Sequence, residues 1–127
     1  MPIHTEIDPA RQLTIRKIKG PVTFDEVMVF IRKEYSGDIT RNIIVDCSEG
    51  TLNSLSSDEM GKIAAFISKE SLKRETGKTA GIMPKDVDFG LANMFQALTQ
   101  IMGYKRDVKI FRHREDAMAW VSENEHT

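Results

Sequence analysis

The chain has 127 residues, 40% of them hydrophobic and 29% charged, with a net charge of −1. That length is expected to form a single domain over residues 1–127, large enough to bury about two-thirds of its unfolded surface. The near-neutral balance excludes a dedicated nucleic-acid binder, and the apolar content excludes a disordered chain.

The opening residues, MPIHTEID, lack the basic-then-apolar pattern of a signal peptide. No run approaches the ~20 apolar residues of a membrane-spanning helix. Cys47 is alone, so no intramolecular disulfide can form, and its apolar strand context predicts a buried, inert thiol. The expectation is a soluble, cytoplasmic protein.

Residues 3–7 (IHTEI) alternate apolar and polar, Asp8-Pro9 marks a turn, and residues 13–19 (LTIRKIK) alternate again. The two runs predict an antiparallel hairpin, with Leu13 and Ile15 on one side and Thr14, Arg16 and Ile18 on the other. Gly20-Pro21 is expected to stop it. Thr23, with Glu26 three residues on, caps a first helix carrying the stripe Phe24, Val27, Met28, Ile31 and Tyr35. Gly37 ends that helix.

Ile43-Ile44-Val45 is a continuous β-branched run, expected as a strand over 42–47 covered on both faces. A polar loop over 48–57 follows, with Ser48, Ser54, Ser56 and Ser57. It lies at the carboxyl end of a strand, where open α/β sheets bind their ligands. Ser56-x-x-Glu59 is a capping box, so the loop runs into a second helix from Ser57 to about Arg74. The bland use of these serines, capping and solvation, stands beside an anion site at the helix start.

Residues 79–83 (TAGIM) form a short strand stopped by Pro84, and Asp86 or Asp88 caps the third helix. From Phe89 to Tyr104 there is no charged residue. Leu91, Phe95, Leu98 and Met102 make one stripe; Met94, Ala97 and Ile101 make another on a different face. Three explanations fit: a second copy of the chain covers it, it walls an apolar ligand site, or it lies deep in its own core. Lys105, Arg106, Lys109, Arg112 and Arg114 follow, which adds contact with an anionic membrane surface to the alternatives. The last strand is 108–111, and a final helix from about Glu115 to Asn124 buries Ala117, Trp120 and Val121.

The order β-β-α-β-α-β-α-β-α predicts an α/β fold, with a five-stranded mixed, mainly parallel sheet flanked by four helices. His4, His113 and His126 lack metal-ligand spacing, and no CxxC, HExxH, Walker or GxGxxG motif is present. No catalytic residue, metal or cofactor is expected.

Three local patterns add a family resemblance. Val45-Asp46-Cys47-Ser48 is similar to the LDLS-type strand end of the SpoIIAA-like group, within the superfamily of sulphate-transporter and anti-sigma-factor-antagonist (STAS) domains. Phe89-Gly90-Leu91-Ala92-x-Met94-Phe95 resembles the GLAR-M-Y/F opening of their third helix. Phe111-Arg112 with Ala117-x-x-Trp120-Val121 resembles their closing FRD-x-EEA-x-x-WL. Together the patterns cover the chain from the hairpin to Val121.

The resemblance implies a non-enzymatic role of one of two kinds. The SpoIIAA-like branch, related in architecture to CRAL-TRIO-like lipid-transfer domains, implies a hydrophobic or lipid-like ligand or peripheral membrane contact. The contacts expected are Phe66, Phe89, Met94, Phe95, Leu98 and Met102, with a homodimer as a further partner and no nucleic acid. The anti-sigma-antagonist branch implies a protein-interaction regulator switched by serine phosphorylation. Ser56 and Ser57 are the nearest equivalents here of the D-S-S-G serine, although the Asp and Gly of that motif are absent.

Overall fold

The structure, a computed structural model, describes residues 2–36, 40–70, 77–104 and 106–123. Among these residues the order is β1 (Ile3–Asp8), β2 (Leu13–Pro21), α1 (Phe24–Ser36), β3 (Asn42–Thr51), α2 (Ser57–Glu70), β4 (Lys78–Ile82), α3 (Asp86–Ile101), β5 (Asp107–Phe111) and α4 (Arg114–Ser122). The predicted stop at Gly37, the end of the second helix at Lys73 and Arg74, the side chain of Tyr35, and Lys105 lie outside the described residues.

The strands form one mixed sheet in chain order, β1-β2-β3-β4-β5. β1 pairs antiparallel with β2, and the other pairs are parallel. Right-handed crossovers between strands added successively on one side place their helices on the same face. α1, α2 and α3 accordingly share a core with Ile18, Val45, Cys47, Met83 and Ile110. α4 alone supplies the other face, packing Ala117 and Val121 with Leu13, Ile44, Ala80 and Ile82. Alternation along β3 serves both layers, Val45 and Cys47 on one side and Ile44 on the other.

β3 is longer than its apolar run. It continues to Thr51, so Ser48 belongs to a strand and the loop before α2 shortens to residues 52–56. The extension pairs with the end of β2, Lys19 with Glu49 and Pro21 with Thr51, beyond a bulge between Lys17 and Lys19. Gly50 permits that approach, because a Cβ there would come within 2.6 Å of the Ile18 carbonyl oxygen. β2 likewise takes in Gly20 and ends at Pro21, two residues beyond the expected Lys19.

Both capping boxes form. The Glu26 N–H donates to Thr23 Oγ1 at 3.2 Å and the Thr23 N–H to Glu26 Oε1 at 2.9 Å. Ser56 and Glu59 make the same reciprocal pair at 3.1 and 2.9 Å. The third helix differs from expectation. Its N-cap is Lys85, without a side-chain cap, and Asp88 is fully buried inside the first turn. There Asp88 Oδ1 accepts from the Leu52 N–H at 2.7 Å and the Thr51 hydroxyl at 2.9 Å. The carboxylate latches the loop after β3 instead of capping its own helix.

The basic residues after α3 do not form one solvated face. Arg106 is only 5% exposed. Its Nη2 donates to the carbonyls of Arg41 and Lys78 at 2.7 and 3.0 Å, and its Nε to Thr79 Oγ1 at 3.1 Å. The guanidinium satisfies acceptors at the amino end of the parallel strands, where no further strand residue can. No helix of the described residues is long and apolar enough to cross a membrane.

Candidate functional site

The layer between the sheet and α1–α3 is not completely filled. An apolar cavity of about 170 Å3 lies within it. Val45, Gly81 and Ile110 contribute from the sheet; Val27, Phe30 and Ile31 from α1. Met60 and Ile63 of α2, with Ala92 and Phe95 of α3, complete the helical side. Two of the lining residues are small. Gly81 brings no side chain from β4, and Ala92 brings only a methyl from α3. A Cβ on Gly81 would lie 3.0 Å from Ile110 Cδ1 and 3.3 Å from Met83 Cε.

One charged side chain, Arg16, belongs to this lining. Its strand position puts it on the same side as Ile18, beneath the helices. The guanidinium lies 4.4 Å from the centre of the Phe30 ring, and Nη1 donates to Thr5 Oγ1 at 3.0 Å. A cation over an aromatic face is attracted by the ring quadrupole, which helps to fix the guanidinium. Thr79 of β4 is the other polar residue of the lining, and apolar walls with a few polar groups are the usual form of a small-ligand site.

Of the six residues expected to contact a ligand, Phe95 is in the cavity wall. Phe66, Phe89 and Met94 are half-buried and pack against the same core. Arg32 lies 5.9 Å from the Phe66 ring and Arg112 lies 4.2 Å from the Phe89 ring. Leu98 is half-buried, and Met102, the C-cap of α3, is exposed. The six therefore share the helical layer without surrounding one pocket. Sequence periodicity missed Arg16, Val45 and Gly81, because a void leaves no periodic mark. The one available signal was a charged residue on the helix-facing side of β2.

The outward side of α3 is mixed, with Asp86, Asn93 and Gln100 exposed beside two large apolar residues. Val87 is 60% exposed and Ile101 80% exposed, while the buried positions are Asp88, Ala92 and Thr99. Ser56 and Ser57 stand exposed at the start of α2. The Ser56 hydroxyl is engaged as the acceptor of the helix cap.

Cys47 lies at the closed side of the Asp88 latch. Its Sγ is 4.0 Å from Asp88 Oδ2. Burial, and then the Asp88 and Asp46 charges against the opposing pull of Lys85, push the thiol up to about 12. The sulfur is held as a protonated donor, unsuited to nucleophilic work. Among the described residues no three His, Cys, Asp or Glu side chains gather as a metal site.

On the opposite face, a polar cleft of about 390 Å3 opens at the carboxyl ends of β3 and β4 beside the start of α4. Its basic residues are each paired: Lys17 with Glu6 at 3.4 Å, Arg112 with Asp86 at 2.7 Å, Arg114 with Asp46 at 3.3 Å. Asp46 also accepts from the Ser48 hydroxyl at 2.6 Å and the Ser48 N–H at 2.9 Å. Such internal neutralisation gives the cleft no strong preference for one ligand charge. His113, the N-cap of α4, makes no side-chain cap hydrogen bond. No protein-family model, curated protein or solved structure matches the chain.

Proposed function

We propose that this chain is a non-enzymatic α/β binding module of the cytoplasm that takes a hydrophobic or lipid-like ligand into the space between its sheet and α1–α3. The observation that carries the reading is the apolar cavity, walled by aliphatic side chains from all five strands and by Phe95. Burying apolar surface in a preformed apolar site is favourable in itself. The likeness of the strand end, the third-helix opening and the closing motif to SpoIIAA-like proteins supports the same reading.

Native mass spectrometry of protein purified without detergent tests it. The expected spectrum contains the chain plus a lipid-like mass that leaves on activation, and Phe95→Asp reduces that species. A spectrum of bare chain, with no thermal stabilisation by added alkanols or fatty acids, would remove the proposal.

A second reading rests on α3, which exposes Val87 near its start and Ile101 at its end. Through it the module meets a membrane surface peripherally or a second copy of itself. Sedimentation with anionic vesicles and the oligomeric mass separate the two. The regulator alternative, with Ser56 or Ser57 as switch, is tested by looking for a phosphorylated serine in protein from its native cells.

A further inference from the structure

We propose that the open edge of β1 is an interface with a second copy of this chain, in which the two β1 strands pair antiparallel about a two-fold axis at Thr5 and join the two sheets into one. The surface is separate from the cavity and from α3, so it stands or falls without either.

β1 is the end strand of the sheet, and His4 to Ile7 are exposed along it. The Lys19 N–H donates to the Pro2 carbonyl at 2.7 Å, directly across the β1–β2 ladder. In an antiparallel pair, hydrogen-bonded and non-hydrogen-bonded positions alternate. His4 and Glu6 therefore turn their backbone groups toward β2, whereas Ile3, Thr5 and Ile7 turn theirs to the outer edge. Such a row of N–H and C=O groups is a template for another strand.

The sequence of β1, IHTEID, is complementary to itself in one register. With Thr5 on the axis, Thr5 meets its own counterpart and Ile3 meets Ile7 of the second copy. Every outward backbone group is then used, since each such pair exchanges two hydrogen bonds. On the α4 face, the same register sets His4 against Glu6 of the second copy. These are the closely spaced positions of the ladder, where a donor and a carboxylate attract. An axis at Glu6 would set two carboxylates face to face, which is destabilising. An axis at His4 would set imidazole against imidazole, and an axis between residues would oppose outward groups to inward ones.

Apolar surface points the same way. Ile3 and Ile7 lie four residues apart and share the helix-side face of the strand, where Ile3 packs against the core. Ile7 is 61% exposed. In the paired arrangement it lies against Ile3 of the second copy, beside a hollow of about 240 Å3 bounded by Ile3, Val29 and Phe30. Burial there takes it out of water. The opposite edge of the sheet is built differently. β5 carries an exposed Lys109 at its centre, the residue type that blunts an edge against pairing, and β1 holds no lysine.

Sedimentation velocity of the full chain, over a concentration series into the hundreds of micromolar, tests the interface. Wild type is expected to pass from monomer to dimer. Thr5→Pro removes an N–H that β2 does not use, and proline is accepted where a strand N–H faces outward. It should weaken the dimer about tenfold or more, from the loss of the central hydrogen bonds. Ile7→Lys changes a side chain already exposed, spares the fold and should weaken the dimer as well. Ile101→Ser, at the end of α3, should leave it unchanged. A wild type that stays monomeric would overturn the proposal. So would a dimer that ignores Thr5→Pro and Ile7→Lys, or one that Ile101→Ser alone dissolves.

A pair of variants tests the register. Glu6→Lys sets His4 against a second cation, and His4→Glu sets two carboxylates face to face. Each alone is expected to be monomeric, and their equimolar mixture to recover the dimer, because each new charge then meets its opposite. A mixture that stays monomeric, or single variants that dimerise like wild type, would overturn the pairing about Thr5.

Discussion

Asp88 Oδ1 accepts the Leu52 N–H at 2.7 Å, and this bond ties the loop after β3 to the first turn of α3. Both residues are buried, so neither group has water as an alternative partner. Asp88→Ala orphans the Leu52 N–H and the Thr51 hydroxyl together. It should lower the unfolding free energy by about 2–4 kcal/mol, since each buried unsatisfied polar group costs about 1–3 kcal/mol. Asp88→Asn keeps an acceptor at the same place and should be milder. Urea unfolding of the three proteins compares them; equal midpoints for the Ala and Asn variants would mean that the hydrogen bonds are not what the carboxylate contributes.

Cys47 should be silent to thiol reagents in the native state at pH 8, and its labelling should follow global unfolding. Its pKa is raised from the ordinary 9.0 to about 12, chiefly by burial. A proton held more tightly when folded stabilises fully below the unfolded value and is lost as pH rises between about 9 and 12. Wild type should therefore lose stability with rising pH over that window more steeply than Cys47→Ala. Parallel pH profiles for the two proteins would show that the thiol contributes nothing to the alkaline limb.

Gly77→Ala should destabilise by about 1–3 kcal/mol or more, as overpacking of a closed site does. A Cβ there would run into the Arg41 carbonyl oxygen and come within 2.8 Å of Arg106 Nη1. Thermal melts check this, and Gly61→Ala is the control. Position 61 is helical with open space around its Cβ, so that change should stabilise by up to about 1 kcal/mol.

Ser56→Ala removes one half of the cap of α2 and should cost about 1 kcal/mol in denaturant unfolding. The loss belongs to the helix start, so hydrogen exchange should rise first at residues 57–60. Uniform exchange across α2 would argue against local fraying.

Val45→Ile adds one methyl to the cavity wall. A methyl that fits should stabilise the ligand-free protein by up to about 0.8 kcal/mol. The same change should weaken uptake of an added alkanol or fatty acid, because tail and methyl compete for the space. Stability and affinity moving in opposite directions is the outcome that marks an empty, ligand-accessible void; both falling together would mean that Val45 already fills its place.

The element order was legible because strands and helices here carry clean periods, two in residues 13–18 and about 3.6 in the Phe24 to Ile31 stripe. Both capping boxes were legible because Ser or Thr followed by Glu at three residues is a local code. What was not legible depends on partners distant in sequence. β3 reaches Thr51 only because the end of β2 lies alongside it, and the sequence SEGT shows no apolar alternation. Asp88 looked like a cap because Asp is common at helix starts; its acceptors' partners lie 36 and 37 residues upstream. In α3 the apolar stripes suggested the buried side, yet Asp88 and Thr99 are buried and Ile101 faces out. The candidate cavity was the least legible of all, since its lining comes from residues of every strand and of α1–α3 that are distant in sequence.

The strand order also bears on how the chain acquires its shape during synthesis. Since each strand joins the edge left by the one before, no strand must be inserted between two already paired. Pairing can advance with the growing chain, and loop closure stays short at every step. One face is the exception. Leu13, Ile44, Ala80 and Ile82 wait for Ala117 and Val121 of α4, which follows all five strands. The clasp on that helix is equally late: Lys78 Nζ donates to the Trp120 carbonyl at 2.8 Å, and Asn42 Nδ2 to the Val121 carbonyl at 3.3 Å. A ribosome-bound chain ending at Phe111 would hold a complete sheet with one bare side. It is there, just before α4 emerges, that a nascent chain of this protein is most exposed to chaperones and to aggregation.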